Sequence, residues 1–313
     1  MDIQSKIILI SGPTASGKSD FAVKIAKKIN GEIINADSMQ VYKELKILTA
    51  RPKKKDQKGI KHHLYGVIKS HEKFSTGQWL KLAIKNIKEI RKKDKIPILV
   101  GGTGLYFQSL INGLVKIPEI PLKLRNQIRL MQKKRGQKKF YKDLLKMDPK
   151  IIGKFDPNDI QRSIRAFEIK SYTKISMYDW LNDTKSNFRD IEFLKLYIDF
   201  RREELVKRIS LRTIKMIKEG AIKEVKKFNN LKIKKNHSVN KVIGIDELTQ
   251  FLKKQINFDK AQELISIKTR QYAKRQATWA RSRMTSWKRI KPSAIKTYLK
   301  NLKKTSLKLD QLT

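Results

Sequence analysis

Short apolar segments and amphipathic segments alternate near the start of the chain. The apolar runs predict strands at residues 7–10, 32–35 and 96–100, and the amphipathic runs predict helices at residues 21–29 and about 77–92. Such alternation is typical of a parallel sheet with helices on its faces, and these sheets bind their ligands at the carboxyl ends of the strands. The pattern therefore predicts an α/β fold with a parallel sheet flanked by helices.

The pattern changes in the middle of the chain, where Pro118, Pro121, Pro149 and Pro157 punctuate a region without predicted strands. Its clearest helices are predicted at residues 122–134 and 160–172. A strand is predicted next at residues 193–199, followed by helices at residues 201–219, 221–228 and 259–287. No element is assigned to the lysine-rich tail after Pro292. We therefore predict a core of residues 1–114 and 191–313, with a helical insertion domain at residues 115–190.

Lysine dominates the charged residues. The chain has 73 Lys and Arg residues against 29 Asp and Glu, a formal net charge of +44, and such an excess indicates a polyanionic partner. Because lysine, isoleucine and asparagine are abundant throughout, runs such as residues 53–55 and 91–93 are more typical of solvated faces than of docking sites. With 39% hydrophobic residues, the chain can still bury a core, which excludes wholesale disorder.

The sequence contains no cysteine, which excludes disulfides, zinc–thiolate sites and thiol nucleophiles. No apolar run approaches the ~20 residues that a membrane-spanning helix needs. No secretory signal is predicted ahead of the first strand. We expect a soluble protein of a reducing, cytoplasmic compartment.

The most informative motif lies between the first predicted strand and the first predicted helix. This P-loop matches G-x-x-x-x-G-K-[ST] and comprises Gly12, Pro13, Thr14, Ala15, Ser16, Gly17, Lys18 and Ser19. The backbone N–H groups of such a loop surround an anion, and the start of the following helix and the lysine add positive charge. The Ser19 hydroxyl is suited to bind a magnesium ion that bridges phosphate oxygens. The motif predicts a phosphorylated ligand without deciding whether it is a nucleotide.

Other motifs follow the next two predicted strands. Asp37 comes directly after the second strand and is either a helix N-cap or a general base or metal-organising carboxylate. Residues 101–104, Gly-Gly-Thr-Gly, predict either a tight turn into a helix or close approach of the backbone to a ligand, with the Thr103 hydroxyl free to hydrogen-bond. His62 and His63 lack a carboxylate at ligand spacing, which favours a structural or hydrogen-bonding role over a metal site.

Basic clusters lie on the predicted helices. Two arginine pairs are spaced three or four positions apart, on one helix face: Arg162 with Arg165, and Arg208 with Arg212. Alone, each pair is more typical of a solvated face. The richest cluster is residues 274–281, where residue types that bind bases and phosphates are interleaved with Trp279, an aromatic that can stack on a base.

Together these motifs resemble those of the tRNA dimethylallyltransferases, also called tRNA isopentenyltransferases. The matching segments occur in family order between about residues 6 and 290, and this ordered set is far more specific than a P-loop alone. Besides the P-loop they are Asp37-Ser38, residues 49–52, 62–64, 74–75, 101–106, 157–159 and 161–162, Arg208, Arg212, Met216, Gly220 and residues 274–281.

The resemblance implies that the chain transfers a dimethylallyl group from dimethylallyl diphosphate to the exocyclic amine of the adenosine immediately 3′ of the tRNA anticodon. The P-loop would then hold the substrate diphosphate with Mg²⁺ rather than ATP. Asp37 would accept a proton from the attacking amine, Thr103 would position the reactants, and Arg212 would stabilise the diphosphate that leaves.

The resemblance also implies a surface that grips the anticodon stem-loop while the target base leaves its stack. The positions that match tRNA contacts are Asp37, Ser38, Met39, Gln40, Gln161, Arg162, Arg165, Lys274, Arg275, Gln276, Thr278, Trp279 and Arg281. The helical insertion would contact tRNA. We expect a monomer that acts without a membrane.

One motif departs from the family pattern. The family usually has a tyrosine after the glycine that corresponds to Gly244, and Ile245 can neither stack nor donate a hydrogen bond in its place. The alternative function is a P-loop kinase or NTPase acting on RNA or a small substrate. Against it, the strand at residues 96–100 ends in glycines rather than in the acidic residue that an ATPase would use on magnesium. A non-catalytic RNA-binding protein would leave the P-loop and Asp37 unexplained.

Overall fold

The computed structural model describes residue 3, residues 5–182 and residues 184–307. The chain divides into two compact units, one of residues 1–111 and 188–313 and the other of residues 112–187. The first unit contains the sheet, and the second is helical. No helix within the described ranges has both the length and the apolar character to cross a membrane.

The first unit is built on a parallel sheet, to which the described residues contribute six strands in the order β3-β2-β4-β1-β5-β6. The strands are β1 (Ile7–Ser11), β2 (Gly31–Asn35), β3 (His62–His63), β4 (Ile96–Gly101), β5 (Phe193–Ile198) and β6 (Lys288–Ile290). Every residue of β1, β2 and β4 is buried, which explains why these strands are almost continuously apolar. The predicted α/β class with a parallel sheet is confirmed.

Helices cover both faces of this sheet. In chain order, the helices of the described residues are α1 (Lys18–Lys28), α2 (Lys54–Gln57), α3 (Thr76–Arg91), α4 (Gly104–Asn112), α5 (Leu122–Met147), α6 (Ile160–Thr173), α7 (Met177–Asn182), α8 (Arg202–Lys218), α9 (Ala221–Asn229), α10 (Ile245–Leu252), α11 (Phe258–Arg283) and α12 (Ile295–Leu307). One face packs against α1 and α12 through Phe21, Ile25 and Leu299. The opposite face packs against α3 and α4 through Trp79 and Phe107.

The register of the central strands brings the predicted motifs together. Ser11 of β1 pairs with Gly101 of β4, and Asn35 of β2 pairs with Val100 of β4. The loops that follow β1, β2 and β4 therefore start at one edge of the sheet. These loops are the P-loop, the turn that contains Asp37, and residues 101–104, so all three motifs meet at the carboxyl edge, as predicted.

The second unit packs α5, α6 and α7 around a small core. Its buried members are Tyr141, Leu144, Ile151, Phe155 and Ala166. The helix predicted to end at residue 134 breaks close to that point, and a second helical stretch continues to Met147. Gly136 has a φ of 71° and interrupts the helical backbone, after which the helix resumes.

The helix predicted from residue 259 to about residue 287 ends earlier than predicted. The helix ends at Arg283, and β6 follows and pairs with β5, with Ile290 beside Ile198. A strand of three residues, two of them exposed, is too short to show a periodic pattern. For this reason the sequence alone does not reveal the edge strand.

The tail after Pro292 forms α12, an element that the sequence analysis did not assign. The ring centroids of Tyr298 and Phe21 lie 5.9 Å apart, and Leu299 is buried in the core on the same face of the sheet. The abundant lysines of this segment mask a short apolar stripe. The helix therefore has an apolar face, which contacts α1.

We predict that Gly101→Ala destabilises the protein strongly. A Cβ atom at this position would lie 2.0 Å from the Ala36 carbonyl oxygen, which cannot withdraw without moving the end of β2. We expect the free energy of unfolding, measured with urea, to fall by about 3 kcal/mol, the upper end of the usual cost of overpacking.

Gly59→Ala is the matched control for this measurement. Gly59 has a φ of 80°, and an added Cβ would meet no atom within 4 Å, so only backbone strain is introduced. We expect a loss of about 1 kcal/mol for the control. Equal losses for the two variants would contradict the close approach of Gly101 to the Ala36 backbone.

Candidate active site

The P-loop joins β1 to α1 in a conformation suited to surround an anion. Gly17 precedes α1 with a φ of 81°, and Ala15 has a φ of 64°. Left-handed backbone is easily adopted by glycine, whereas at Ala15 it is strained and has to be held by neighbouring groups. A Cβ at Gly12 would lie 2.9 Å from Ser16 Oγ and 3.1 Å from the Ile198 carbonyl oxygen, so the loop begins in tight contact with β5.

Two arginines of α8 hold the outer edge of the P-loop. Arg208 Nε donates to the Ala15 carbonyl oxygen at 2.7 Å, and the Arg208 guanidinium lies 4.9 Å from the ring centroid of Phe200. Arg212 Nη1 donates to Thr14 Oγ1 at 2.7 Å. This pair is therefore not a solvated helix face, because both guanidinium groups support the strained part of the loop.

Lys18, Arg212 and Asp37 interact electrostatically within the site. Burial lowers the pKa of Lys18 to about 8; the carboxylate of Asp37 opposes this shift and Arg212 adds to it. Burial also lowers the pKa of Arg212, again against the effect of Asp37. Lys18 Nζ donates to the Pro13 carbonyl oxygen at 3.3 Å. Two crowded cations beside one carboxylate leave positive charge available for an anionic ligand.

Asp37 forms a tight turn after β2 and does not cap a helix. Its Oδ1 accepts a hydrogen bond from the Met39 N–H at 2.9 Å, which is the pattern of an Asx turn. Residues 38–40 are not helical, so the N-cap alternative is wrong. Among the described residues, no hydrogen bond reaches the other carboxylate oxygen, Oδ2. The structure therefore leaves this oxygen open to a substrate.

Two side chains fix the turn, one from the end of β2 and one from the loop after β4. Asn35 Nδ2 donates to the carbonyl oxygens of Asp37 and Leu64 at 3.0 and 3.1 Å, and its Oδ1 accepts from the Asp37 N–H at 2.9 Å. Thr103 Oγ1 accepts from the Ser38 N–H at 2.9 Å and donates to Ser38 Oγ at 3.2 Å. Sequence reasoning missed Asn35, because one polar residue at the end of an apolar strand carries no distinctive signal.

The glycines of residues 101–104 make close contacts with protein atoms. A Cβ at Gly102 would lie 2.1 Å from Gln276 Nε2, and one at Gly104 would lie 2.3 Å from the Trp279 ring. Helix α4 begins at Gly104. The predicted tight turn into a helix is confirmed. The atoms closest to these glycines belong to the protein itself, to the backbone after β2 and to side chains of α11.

Part of the P-loop, Asp37 and Arg212 line a cavity of about 450 Å³ at the carboxyl edge of the sheet. Four cations contribute to the lining: Lys18, Arg212, Lys241 and Arg275. Asp37 is the single carboxylate among the described residues of the lining. Six apolar residues also line it: Ala15, Met39, Leu48, Ala50, Val242 and Ile243. The lining therefore suits a ligand that combines a multiply charged anion with a short apolar group.

The site also suits magnesium bound together with phosphate. Ser19 and Asp37 line the same cavity and supply the hydroxyl and carboxylate oxygens that Mg²⁺ prefers. Ser16 Oγ is buried in the P-loop without a hydrogen-bond partner, as expected for a loop built to surround an anion. No cluster of three or more His, Cys, Asp or Glu side chains occurs in the described part of the chain. Phosphate oxygens and water would therefore supply most of the ligands.

The segment predicted to grip RNA, residues 274–281, is divided between two faces of α11. Its exposed members are Lys274, Arg275, Thr278 and Arg281. Gln276 is half-buried and hydrogen-bonds two loops of the site, and Trp279 packs against Gly104. The inward pair is engaged in protein contacts, whereas contacts between this segment and RNA stay a prediction.

The other residues predicted to contact tRNA in this unit follow Asp37. Ser38 is held by Thr103, and Met39 is one of the apolar residues that line the cavity. Gln40 Nε2 donates to the carbonyl oxygens of Thr49 and Ala50, at 2.8 and 3.2 Å, and so fixes the loop at the cavity mouth. These side chains build the cavity, and their contact with tRNA stays a prediction.

In the second unit, the predicted tRNA contacts lie on α6. They are Gln161, Arg162 and Arg165. Arg165 Nη1 lies 3.3 Å from Oε2 of Glu168, a buried carboxylate that also lies 3.6 Å from Nε of both Arg125 and Arg129. Three half-exposed arginines from two helices are thus gathered around one buried carboxylate, which we call the Glu168 cluster.

His62 and His63 have hydrogen-bonding partners within the fold. His63 Nε2 lies 2.7 Å from Glu32 Oε2, and Lys95 Nζ donates to Glu32 Oε1 at 2.9 Å. His62 Nδ1 lies 2.8 Å from the Ile60 carbonyl oxygen. The predicted hydrogen-bonding role of the two histidines is confirmed.

Ile245, which stands where the family usually has a tyrosine, is buried in a hydrophobic core cluster. Gly244 has a φ of 105°, and a Cβ there would lie 2.6 Å from Leu48 Cδ2. Ile245 is buried in the same cluster as Leu48, and Ile243, two residues earlier, lines the cavity.

Two further residues of the cavity lining, Lys241 and Tyr272, were not predicted from the sequence. Lys241 does not stand out among the many lysines of the chain, and Tyr272 does not stand out from the pattern of its helix.

Known proteins match this chain along its length. Residues 40–283 match the family model described as IPP transferase. A tRNA dimethylallyltransferase of Pelagibacter ubique is 75% identical over 313 residues, which is the whole of both chains. A tRNA dimethylallyltransferase of Rickettsia massiliae is 42% identical over 282 residues, which cover 90% of this chain and 78% of the relative.

Solved structures give the same result. A tRNA isopentenylpyrophosphate transferase from Bacillus halodurans is 30% identical with a TM-score of 0.67, covering 98% of this chain and 99% of the other. A eukaryotic dimethylallyltransferase, solved acting on tRNA, is 32% identical with a TM-score of 0.77, covering 88% of this chain and 69% of the other. Motif order, fold and full-length similarity agree. The chain belongs to the tRNA dimethylallyltransferase family.

Proposed function

We propose that this protein transfers a dimethylallyl group from dimethylallyl diphosphate to the exocyclic amine of the adenosine immediately 3′ of the tRNA anticodon, and releases diphosphate. The cavity carries this proposal, since its lining combines four cations, one carboxylate and six apolar residues. The cations suit a diphosphate, and the apolar residues suit a short allylic chain. The names of the relatives support the same reaction.

The transfer step makes one bond and breaks another. The adenine amine nitrogen attacks the allylic carbon, and the carbon–oxygen bond breaks with its electron pair passing to the diphosphate. Negative charge grows on the leaving group, so oriented positive charge is the main catalytic requirement. Lys18, Arg212 and the P-loop N–H groups would meet this need. Magnesium, bound by Ser19 and phosphate oxygens, would neutralise further charge.

Asp37 is our candidate for the base that accepts the amine proton. Its Oδ1 is occupied by the Met39 N–H, while Asn35 fixes the backbone on both sides of the residue. This geometry supports a single orientation of the carboxylate within the cavity lining. Thr103, through Ser38, would hold the turn in place relative to the loop after β4.

The target base has to leave the anticodon-loop stack to reach the cavity, which calls for a grip on the RNA. We propose that Lys274, Thr278 and Arg281 on the exposed face of α11 contribute to this grip. The Glu168 cluster, which includes Arg165, and the neighbouring Arg162 would contribute from the second unit. We further propose a cytoplasmic monomer, as the resemblance implies.

The rival function is a kinase or NTPase that uses the same P-loop for ATP. It is less well supported, because β4 ends in glycines and offers no carboxylate for the magnesium of ATP. The deciding assay incubates the protein with Mg²⁺, dimethylallyl diphosphate and unmodified tRNA, followed by mass spectrometry of nucleosides. Dimethylallyl-adenosine is expected from the wild type, with a loss on the order of 10²-fold for Lys18→Ala. ATP turnover without prenylation would overturn the proposal in favour of the rival.

We predict that the affinity of the free protein for magnesium pyrophosphate falls as the pH rises above about 8, the pKa of Lys18. The protonated lysine binds the anion, and its charge is lost as the pH rises through that value. If only the charged form binds, affinity falls about tenfold per pH unit above the pKa. Titration calorimetry between pH 7 and 9.5 measures the effect.

Lys18→Arg is the control for this pH series, because a guanidinium keeps its charge throughout the range. The ionisation of pyrophosphate itself affects both proteins equally. The wild type should therefore lose affinity relative to the variant as the pH rises. Parallel pH profiles would show that the charge of Lys18 does not govern binding.

We predict that Asp37→Asn lowers kcat by about 10² to 10⁴-fold, because a general base acts in the transition state. The asparagine Oδ1 can still accept from the Met39 N–H, so the Asx turn and the melting temperature should be retained. Affinity for tRNA should stay near the wild-type value. Single-turnover prenylation at saturating substrates gives the rate. Asp37→Ala loses the hydrogen bond of the turn as well, so its melting temperature, compared with that of Asp37→Asn, shows how much the turn contributes to stability. Normal turnover by Asp37→Asn would exclude Asp37 as the base.

A further inference from the structure

Gln276 connects two loops of the site through both ends of its carboxamide. Its Oε1 accepts a hydrogen bond from the Thr14 N–H at 2.8 Å, and its Nε2 donates to the Gly102 carbonyl oxygen at 3.0 Å. A carboxamide is the neutral side-chain group that offers an acceptor and a strong donor in one plane. Both functions of Gln276 are used within the protein.

The space around this carboxamide is shaped to receive it. A Cβ at Gly102 would lie 2.1 Å from Gln276 Nε2, so the carboxamide can take its present position because residue 102 has no side chain. Gln276 is half-buried on the inward face of α11. The side chain therefore occupies one position between the two loops rather than extending into solvent.

The two linked loops have different roles in the proposed reaction: one would bind the leaving diphosphate, and the other holds the turn of the candidate base. Thr14 belongs to the P-loop, and its hydroxyl also accepts from Arg212. Gly102 precedes Thr103, which holds Ser38 beside Asp37. One side chain thus sets the P-loop, where the diphosphate would leave, relative to the turn that holds the candidate base.

We propose that Gln276 is a positioning residue for the diphosphate site, and not a residue that reads tRNA. This inference rests on the proposed function for its catalytic part, while its effect on anion binding is independent of that function. Loss of both hydrogen bonds leaves Arg208 and Arg212 as the side chains that still hold Thr14 and the strained Ala15. The P-loop is then fixed less firmly, and anion affinity falls.

The test compares Gln276→Met with Gln271→Met. Methionine has nearly the length of glutamine, introduces no charge and makes neither hydrogen bond. Gln271 lies on the exposed side of the same helix and serves as the matched control. Four quantities are measured for each: the affinity for magnesium pyrophosphate, the affinity for an anticodon stem-loop RNA, the single-turnover prenylation rate and the melting temperature.

For Gln276→Met we expect pyrophosphate affinity to fall about tenfold, the combined effect of two lost hydrogen bonds. The single-turnover rate at saturating substrates should fall further, by up to about 10²-fold, because the leaving group and the base are no longer aligned. Stem-loop affinity should equal that of Gln271→Met. Gln271→Met should match the wild type in pyrophosphate affinity and rate.

Two results would overturn the proposal. A loss of stem-loop affinity with unchanged pyrophosphate affinity would assign Gln276 to RNA recognition. A lowered melting temperature with normal pyrophosphate affinity and rate for the folded protein would assign it a merely structural role. If Gln276→Met does not fold, Gln276→Ala, which leaves room for a water beside the Thr14 N–H, takes its place. If the wild type fails to prenylate tRNA, the proposed function fails, and the pyrophosphate titration still decides the role of Gln276.

Discussion

The parallel register of β1, β2 and β4 is the constraint on which the site depends. Because Ser11 lies opposite Gly101, and Asn35 opposite Val100, the chain leaves all three strands at the same level. A slip of one residue in any strand would turn its side chains to the opposite face and separate the loops. The absence of a side chain at Gly101 allows the backbone after β2 to lie directly against β4. The same strand pairing therefore both packs the sheet and brings the loops of the site together.

At that edge of the sheet, the cavity lining has four cationic side chains and one carboxylate, which favours the binding of an anion. Burial works against the charged forms of Lys18 and Arg212, and Asp37 partly restores them. The same carboxylate is the candidate base, so its two tasks are linked: it keeps nearby cations charged before the ligand arrives and accepts a proton during transfer. A second carboxylate in the cavity would neutralise the cations that a diphosphate needs.

Much of this arrangement could be predicted from sequence, for identifiable reasons. Strands such as β1 and β4 are buried on both faces and so appear as apolar runs, and the P-loop has a fixed spacing between strand and helix. The hydrogen bond between Thr14 and Gln276 joins residues 262 positions apart and has no periodic signature. The same limit applies to Asn35 and Arg208, whose types are common and whose partners are set by tertiary structure. For Trp279, the residue type suggested base stacking, whereas its contact with Gly104 depends on how α11 crosses the sheet edge.

The Glu168 cluster has a consequence for conformational entropy. A free arginine side chain loses about 2 kcal/mol of rotamer freedom when it is fixed. Arg125, Arg129 and Arg165 are already drawn to one buried carboxylate, so part of that freedom is lost during folding. Three cations around one anion still carry a net positive charge. Any polyanion that contacts this face meets guanidinium groups that are already ordered, and its binding is opposed by a smaller loss of entropy than binding to isolated surface arginines would be.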